Sequence, residues 1–164
     1  MREKFLEILT RYQGIVYKVS LVYFKNEVDR EDNVQEIIYR LWKSFPDLKN
    51  PESIGSWIYA VSINTSLSRV KKASRIEYRE NIPDLPDKTD LLEKLSRQES
   101  LQLLLDAIHE LDALDKSIML LYLEEKSYEE IAGITGITKS NVGVRINRAK
   151  ERLKQNLKNQ YHGK

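Results

Sequence analysis

Apolar residues in this chain recur at the period of a helix. Val34, Ile37, Ile38, Leu41, Trp42 and Phe45 fall at i, +3, +4, +7, +8 and +11. That spacing puts all six on one stripe of an α-helix and on no single face of a strand. The same period runs through Phe5, Leu6, Ile8, Leu9, Tyr12, Ile15, Val16, Val19 and Val22, and returns in Leu101, Leu104, Leu105, Ile108 and Leu111. Only 6 Gly and 4 Pro occur in 164 residues, too little turn chemistry for a many-stranded fold. An all-α fold is expected.

Breaks in the period divide the chain. The first helix is expected over 3–25, and the second starts behind Asp29 as an N-cap and stops near Pro46, because proline disfavours helix in the residue before it. Residues 46–55, PDLKNPESIG, are a polar loop. A third helix starts near Ser53 or Ser56, with Ile54, Trp57, Ile58, Val61, Thr65 and Leu67 facing inward. Asn64, Ser68, Lys71, Lys72 and Arg75 share its opposite, polar-basic face. Residues 76–90 contain Pro83 and Pro86, many charges and no sustained period, as a linker does. Periodicity resumes near Leu91. Two small helical domains, 1–75 and 97–164, joined by a flexible linker over 76–96, are the expected organisation. In the second, Asp115 is positioned to cap a helix through Ile118, Met119, Tyr122 and Leu123.

The final third carries the sharpest local signals. Ser127-Tyr128-Glu129-Glu130 is a capping box. Ile131 and Ala132 follow on a short helix, Gly136 supplies a turn that favours positive φ, and Thr138 caps a long helix. Val142, Ile146, Ala149, Leu153 and Leu157 form that helix's inner face. Short helix, glycine turn and long helix make a helix-turn-helix, whose second helix enters the DNA major groove. Its outward candidates are Lys139, Ser140, Asn141, Gly143, Val144, Arg145, Asn147, Arg148 and Arg152. Arginine can bond guanine or phosphate in bidentate fashion, and asparagine can read adenine.

Charge supports an anionic partner. The net charge of +2 conceals segregation: residues 64–83 carry net +3, residues 84–130 net −8 and residues 131–164 net +7. Two basic blocks flank an acidic one, which points to two anion-facing surfaces. The chain has no Cys and only His109 and His162, so no disulfide, thiolate metal site or histidine metal cluster is expected. No cofactor, nucleophile–base set or glycine-rich phosphate loop stands out, and no enzyme is expected. Met1-Arg2-Glu3-Lys4 does not open a signal peptide, and no apolar run approaches the roughly 18 residues of a membrane span. A cytoplasmic protein without membrane insertion is expected.

In this order the parts resemble the extracytoplasmic-function (ECF) group of the sigma-70 family, over about 1–75 and 95–158. The first domain resembles the family's region 2 through Asp29-Arg30-Glu31-Asp32-Asn33-Val34-Gln35-Glu36, Leu41-Trp42, Ser56-Trp57-Ile58-Tyr59 and Ile63-Asn64-Thr65. The second resembles region 4 through Leu111-Asp112, Tyr128-Glu129-Glu130-Ile131-Ala132 and Val142 to Ala149-Lys150. The resemblance implies a subunit that binds core RNA polymerase and directs it to promoter DNA. It implies that Asp32, Gln35, Glu36, Arg40 and Trp42 dock on polymerase. Lys49, Asn50, Ser56, Asn64, Ser68, Lys71, Lys72 and Arg75 would hold the −10 element as a single strand. Lys139, Ser140, Asn141, Val144, Arg145, Asn147, Arg148 and Arg152 would contact duplex −35 DNA. An anti-sigma factor is a further implied partner. The chain departs from the family's habit at Asn33, where an apolar residue is common, at Ala60 and Ile63, where Arg is frequent, and at Gly143, where a basic residue is frequent. The rival reading is a conventional helix-turn-helix regulator, binding duplex DNA without polymerase.

Overall fold

The computed structural model describes residues 1–75 and 99–162. The expected linker 76–96, the second domain's start near Leu91 and the side chain of Arg75 lie outside the described residues. Seven α-helices and two short 3-10 turns make up what is described, with no strand among those residues. They are α1 (Arg2–Tyr23), α2 (Glu27–Ser44), α3 (Ile54–Arg75), α4 (Glu99–His109), α5 (Ala113–Leu123), α6 (Tyr128–Thr135) and α7 (Lys139–His162).

Helices α1, α2 and α3 form a bundle. Its inner cluster is Phe5, Val16, Val34, Ile37, Leu41 and Ile58, each almost out of solvent. Burying one such side chain contributes about 1.5–3 kcal/mol. Val34, Ile37 and Leu41 of the expected α2 stripe are therefore in the bundle's core, Ile38 and Phe45 pack against it, Trp42 stays exposed, and Trp57 packs on the core near Phe45. Leu6 departs from the expected stripe and lies exposed. Helix α2 begins earlier than Asp29 predicts. Asn26 caps it, its Oδ1 accepting from Val28 N at 2.7 Å. Asn and Asp cap comparably, and the turn after α1 closes soon enough for Asn26 to take the position.

Asn33 lies at the centre of the bundle, fully buried. Its Nδ2 donates to Ser20 Oγ and Ser66 Oγ, both at 2.9 Å, and Ser66 donates onward to the Ser62 carbonyl at 2.7 Å. One amide thus joins α1, α2 and α3. Bonding of this kind offsets the burial of the Nδ2 donors, while Asn33 Oδ1, also buried, has no hydrogen-bond partner among the described residues.

Helices α4 to α7 form the second body, with α7 packed across α4, α5 and α6. The two bodies also pack on each other. One apolar cluster runs from Val19, Val22, Tyr23, Tyr59 and Ile63 into Ala107, Ile108, Leu111, Ile118, Met119 and Ile131. Polar contacts frame it. Tyr23 donates to the Ala113 carbonyl at 2.6 Å, His109 Nε2 lies 3.0 Å from the Leu21 carbonyl, and Lys18 pairs with Glu124 at 3.1 Å. Lys126 sits 5.6 Å above the Tyr59 ring. Burial pushes the Tyr23 phenol up to about 12, so it stays a neutral donor. The apolar Ala60 and Ile63 belong to this contact: Ile63 is buried in it and Ala60 packs against it.

Two outcomes follow from this contact. Ile63→Arg would bury a guanidinium between the bodies, at a cost of several kcal/mol. The variant is expected to keep its helicity but show a larger radius by small-angle X-ray scattering; an unchanged radius contradicts the contact's role. The second outcome concerns pH. Burial pushes the His109 imidazole below its ordinary value, and its charged form would face Lys25 and Lys116, with Asp106 opposing. A depressed histidine contributes stability that is complete above the unfolded value of about 6.5. That contribution is lost as pH falls through the folded value. Acidification from about pH 7.5 to about pH 5.5 is expected to loosen the contact, and His109→Asn to flatten that dependence.

Candidate nucleic-acid interface

Local chemistry builds the helix-turn-helix. Ser127 caps α6 by accepting from Glu130 N at 3.1 Å, as the capping box requires, and its hydroxyl meets Glu130 Oε1 at 3.3 Å. Gly136 ends α6 at φ +80, its N–H bonding the Ala132 carbonyl. Thr138 Oγ1 then accepts from Asn141 N at 3.1 Å and starts α7. Asp115 does not cap α5. That helix begins at Ala113 behind Asp112, and Asp115 falls in its first turn, buried.

Burial fixes the rotation of α7. Val142, Ile146 and Ala149 are each 0% exposed. Lys139, Ser140, Asn141, Val144, Asn147 and Arg148 are consequently exposed along the other side. The first turn presents backbone N–H groups that no helix carbonyl takes, a favourable place for phosphate. The arginines separate into three environments. Arg148 is exposed and makes no ion pair among the described residues. Arg152 is exposed, 3.7 Å from Asp112. Arg145 is only one-third exposed, and its Nη1 lies 3.0 Å from Asp115 Oδ1. Lys150 lies 4.5 Å above the Tyr122 ring, a contact that periodicity does not reveal.

The other candidate set lies along α3 and the loop before it. Lys49 and Asn50 are exposed, and Asn50 Oδ1 accepts from Glu52 N at 3.1 Å. Ser56 is half-buried at the start of α3. Asn64 is exposed, not packed, so its amide faces solvent. Ser68 turns back on the helix, donating to the Asn64 carbonyl at 2.9 Å. Lys71 and Lys72 are exposed. From Ser56 to Lys72 the set spans about 24 Å of helix axis.

The α2 candidates are also at the surface. Asp32 and Gln35 are exposed, and Glu36 pairs with Arg40 at 3.0 Å. Trp42 is 41% exposed with its ring edge-on to Phe5 at 5.0 Å. It borders a shallow groove between α1 and α2 lined by Arg2, Phe5, Leu6, Gln35, Ile38 and Tyr39. Tyr39 and Leu6 are exposed there. Sequence reasoning missed both, because it assigned Leu6 inward and had no neighbour across α1 to relate Tyr39 to. Among the described residues no group of acidic or histidine side chains could hold a metal ion, and no helix is long and apolar enough to cross a membrane.

Two glycines of the motif separate conformational need from mere absence of a side chain. Gly136→Ala forces a left-handed residue and should cost about 1–2 kcal/mol. A Cβ at Gly143 would meet the Tyr128 ring at an ordinary 3.5 Å. Gly143→Ala should therefore stabilise α7 by up to about 1 kcal/mol. Thermal unfolding of the two variants should move the melting temperature in opposite directions.

Comparison with known proteins covers both bodies. Residues 8–76 match the family Sigma-70 region 2, and residues 101–153 match Sigma-70, region 4. The chain is 30% identical over 146 residues to RNA polymerase sigma factor SigV of Bacillus subtilis, covering 86% of this chain and 83% of that protein. It is 26% identical over 173 residues to the ECF RNA polymerase sigma-E factor of Haemophilus influenzae, covering 95% and 88%. Among solved structures, the sigma factor RpoE of Bartonella quintana, in complex with the anti-sigma factor NepR, superposes with a TM-score of 0.72 at 19% identity, covering 95% of this chain and 98% of that one. From helix-turn-helix to three-helix bundle, this chain belongs to the sigma-70 family and to its ECF group.

Proposed function

We propose that the chain binds core RNA polymerase and directs it to promoters, with α7 meeting duplex −35 DNA and α3 with its preceding loop holding opened −10 DNA. Polymerase performs all the chemistry. The observation that carries this reading is the pairing of two outward polar faces on two bodies. Asn141, Val144 and Arg148 stand on a helix whose rotation three fully buried residues fix. Asn64, Lys71 and Lys72 stand exposed on α3. A base leaving its stack costs a few kcal/mol, which polar contacts such as those from Asn64 would offset. The match to region 2 over 8–76 leaves the rival, a conventional helix-turn-helix regulator, without an account of the first body.

The domain units in this reading are 1–75 and 97–164, with 76–96 as the connection. On a promoter they must part. A 164-residue body packed as one has a radius of gyration of about 15 Å. The −35 and −10 elements lie about 85 Å apart along duplex DNA at 3.4 Å per base pair. Core polymerase would hold the separated bodies in register, docking on Asp32, Gln35, Glu36, Arg40 and Trp42 beside the exposed Tyr39. The RpoE structure holds a sigma factor with an anti-sigma partner, and an anti-sigma factor is the proposed regulator here. Such a protein works in the cytoplasm.

Run-off transcription with purified core polymerase tests the reading. Adding this chain should produce specific starts from a promoter of its own; tight duplex binding by the chain alone, with no start, favours the conventional regulator. Arg148→Ala should reduce −35-dependent initiation about tenfold, the loss of one base contact of about 1–3 kcal/mol. Asn64→Ala should impair open-complex formation while leaving core binding intact. Equal loss of both would remove Asn64 from the −10 set.

A further inference from the structure

Arg145 sits among outward residues in sequence but not in space. Asn141, Val144 and Arg148 follow one another at i, +3 and +7 on the exposed side of α7. Arg145 stands next to the buried Ile146 and turns toward α5. There Asp115 is 7% exposed, and its Oδ1 takes the Arg145 Nη1 hydrogen at 3.0 Å. The Arg145 Nε is itself buried and has no hydrogen-bond partner among the described residues. A carboxylate held this far from water needs its counter-charge, and removing one partner leaves an uncompensated buried ion. A second pair, from Asp112 just before α5 to Arg152 on α7, is exposed on both sides and longer, so it contributes little.

The geometry points to Arg145 as a positioning residue: with Asp115 it locks the rotation of α7 and so sets the register in which Asn141, Val144 and Arg148 meet base edges. The inference rests on the reading of α7 as the duplex-contacting helix, and it removes Arg145 from the direct contacts. The lever is large. A 20° turn of α7 moves a side-chain tip about 6 Å from the axis by about 2 Å, beyond the tolerance of a hydrogen bond. Apolar burial of Val142, Ile146 and Ala149 sets the face coarsely, since methyl contacts tolerate small rotations. A charged bond at 3.0 Å tolerates less.

The test uses holoenzyme assembled with the full chain, on a promoter with its −35 element intact or scrambled. Melting and helicity are followed for every variant. Arg145→Met should lower −35-dependent initiation about tenfold with the loss spread over all −35 positions; Arg148→Ala, a direct base contact, should relax the preference at one −35 position only. The double variant Asp115→Leu with Arg145→Met replaces the pair by apolar groups and should recover initiation to within about threefold of wild type, as buried ion pairs often permit. A methionine cannot restore a lost DNA contact, so a double variant as poor as Arg145→Met alone overturns the proposal. Should the double variant not fold, Asp115→Asn decides. A severalfold loss supports positioning. Unchanged or improved initiation overturns it, because a freed Arg145 would then be contacting DNA. Wild-type holoenzyme indifferent to scrambling of the −35 element would overturn the reading of α7 and this inference together, whereas −35 dependence with a failed rescue sinks the inference alone.

Discussion

Each helix here has one apolar stripe, and burying that stripe decides which polar side chains are left to meet anything else. The constraint is rotational. Once Val142, Ile146 and Ala149 enter the core of the second body, Asn141, Val144 and Arg148 have nowhere to go but out. Once Val34, Ile37 and Leu41 enter the first, Asp32 and Gln35 face solvent. The functional surfaces are in this sense the complement of the cores, and hydrophobic burial, the largest favourable term in folding, orients groups that take no part in it.

That dependence explains what could be read from the chain and what could not. Periodicity located the helices, because the 3.6-residue repeat is a local property. Ser127, Gly136 and Thr138 located the helix-turn-helix, because each acts on a backbone group within four residues of itself. Asp115 resisted the same treatment. An Asp near a helix start suggests a cap, yet its partner lies 30 residues away on α7, and no local rule can find it. Asn26 and Asp29 were both competent caps, and only the path of the chain after α1 chose between them. Leu6 follows the period of its stripe but sits at the bundle's margin, exposed among the described residues. The contact between the two bodies was hidden for another reason. Val19, Val22 and Ile63 are apolar in positions that a lone bundle would also bury, so the sequence does not say which neighbour covers them.

The two bodies are therefore held by means of unequal reach. The apolar cluster and the Tyr23–Ala113 bond act only at contact. The pair Lys18–Glu124 is exposed enough to be screened by salt. Separation breaks all of these together, while each body keeps the core residues that define its own interior. Asn141 and Arg148 on α7 and Asn64 on α3 stay exposed with the two bodies in contact, so parting changes the distance between them.

Asn33 has a consequence of its own. Methyl groups slide past one another with little penalty, but an amide pinned between two hydroxyls fits at a single height. Because Ser66 stands two residues from Asn64, and Asn33 one residue from Asp32, the same three-way bond that sets the axial offset of α3 against α2 also gauges how far the exposed Asn64 amide stands above the acidic side chain on its neighbour. A hydrocarbon at that position would leave the bundle as well filled and the gauge without a stop.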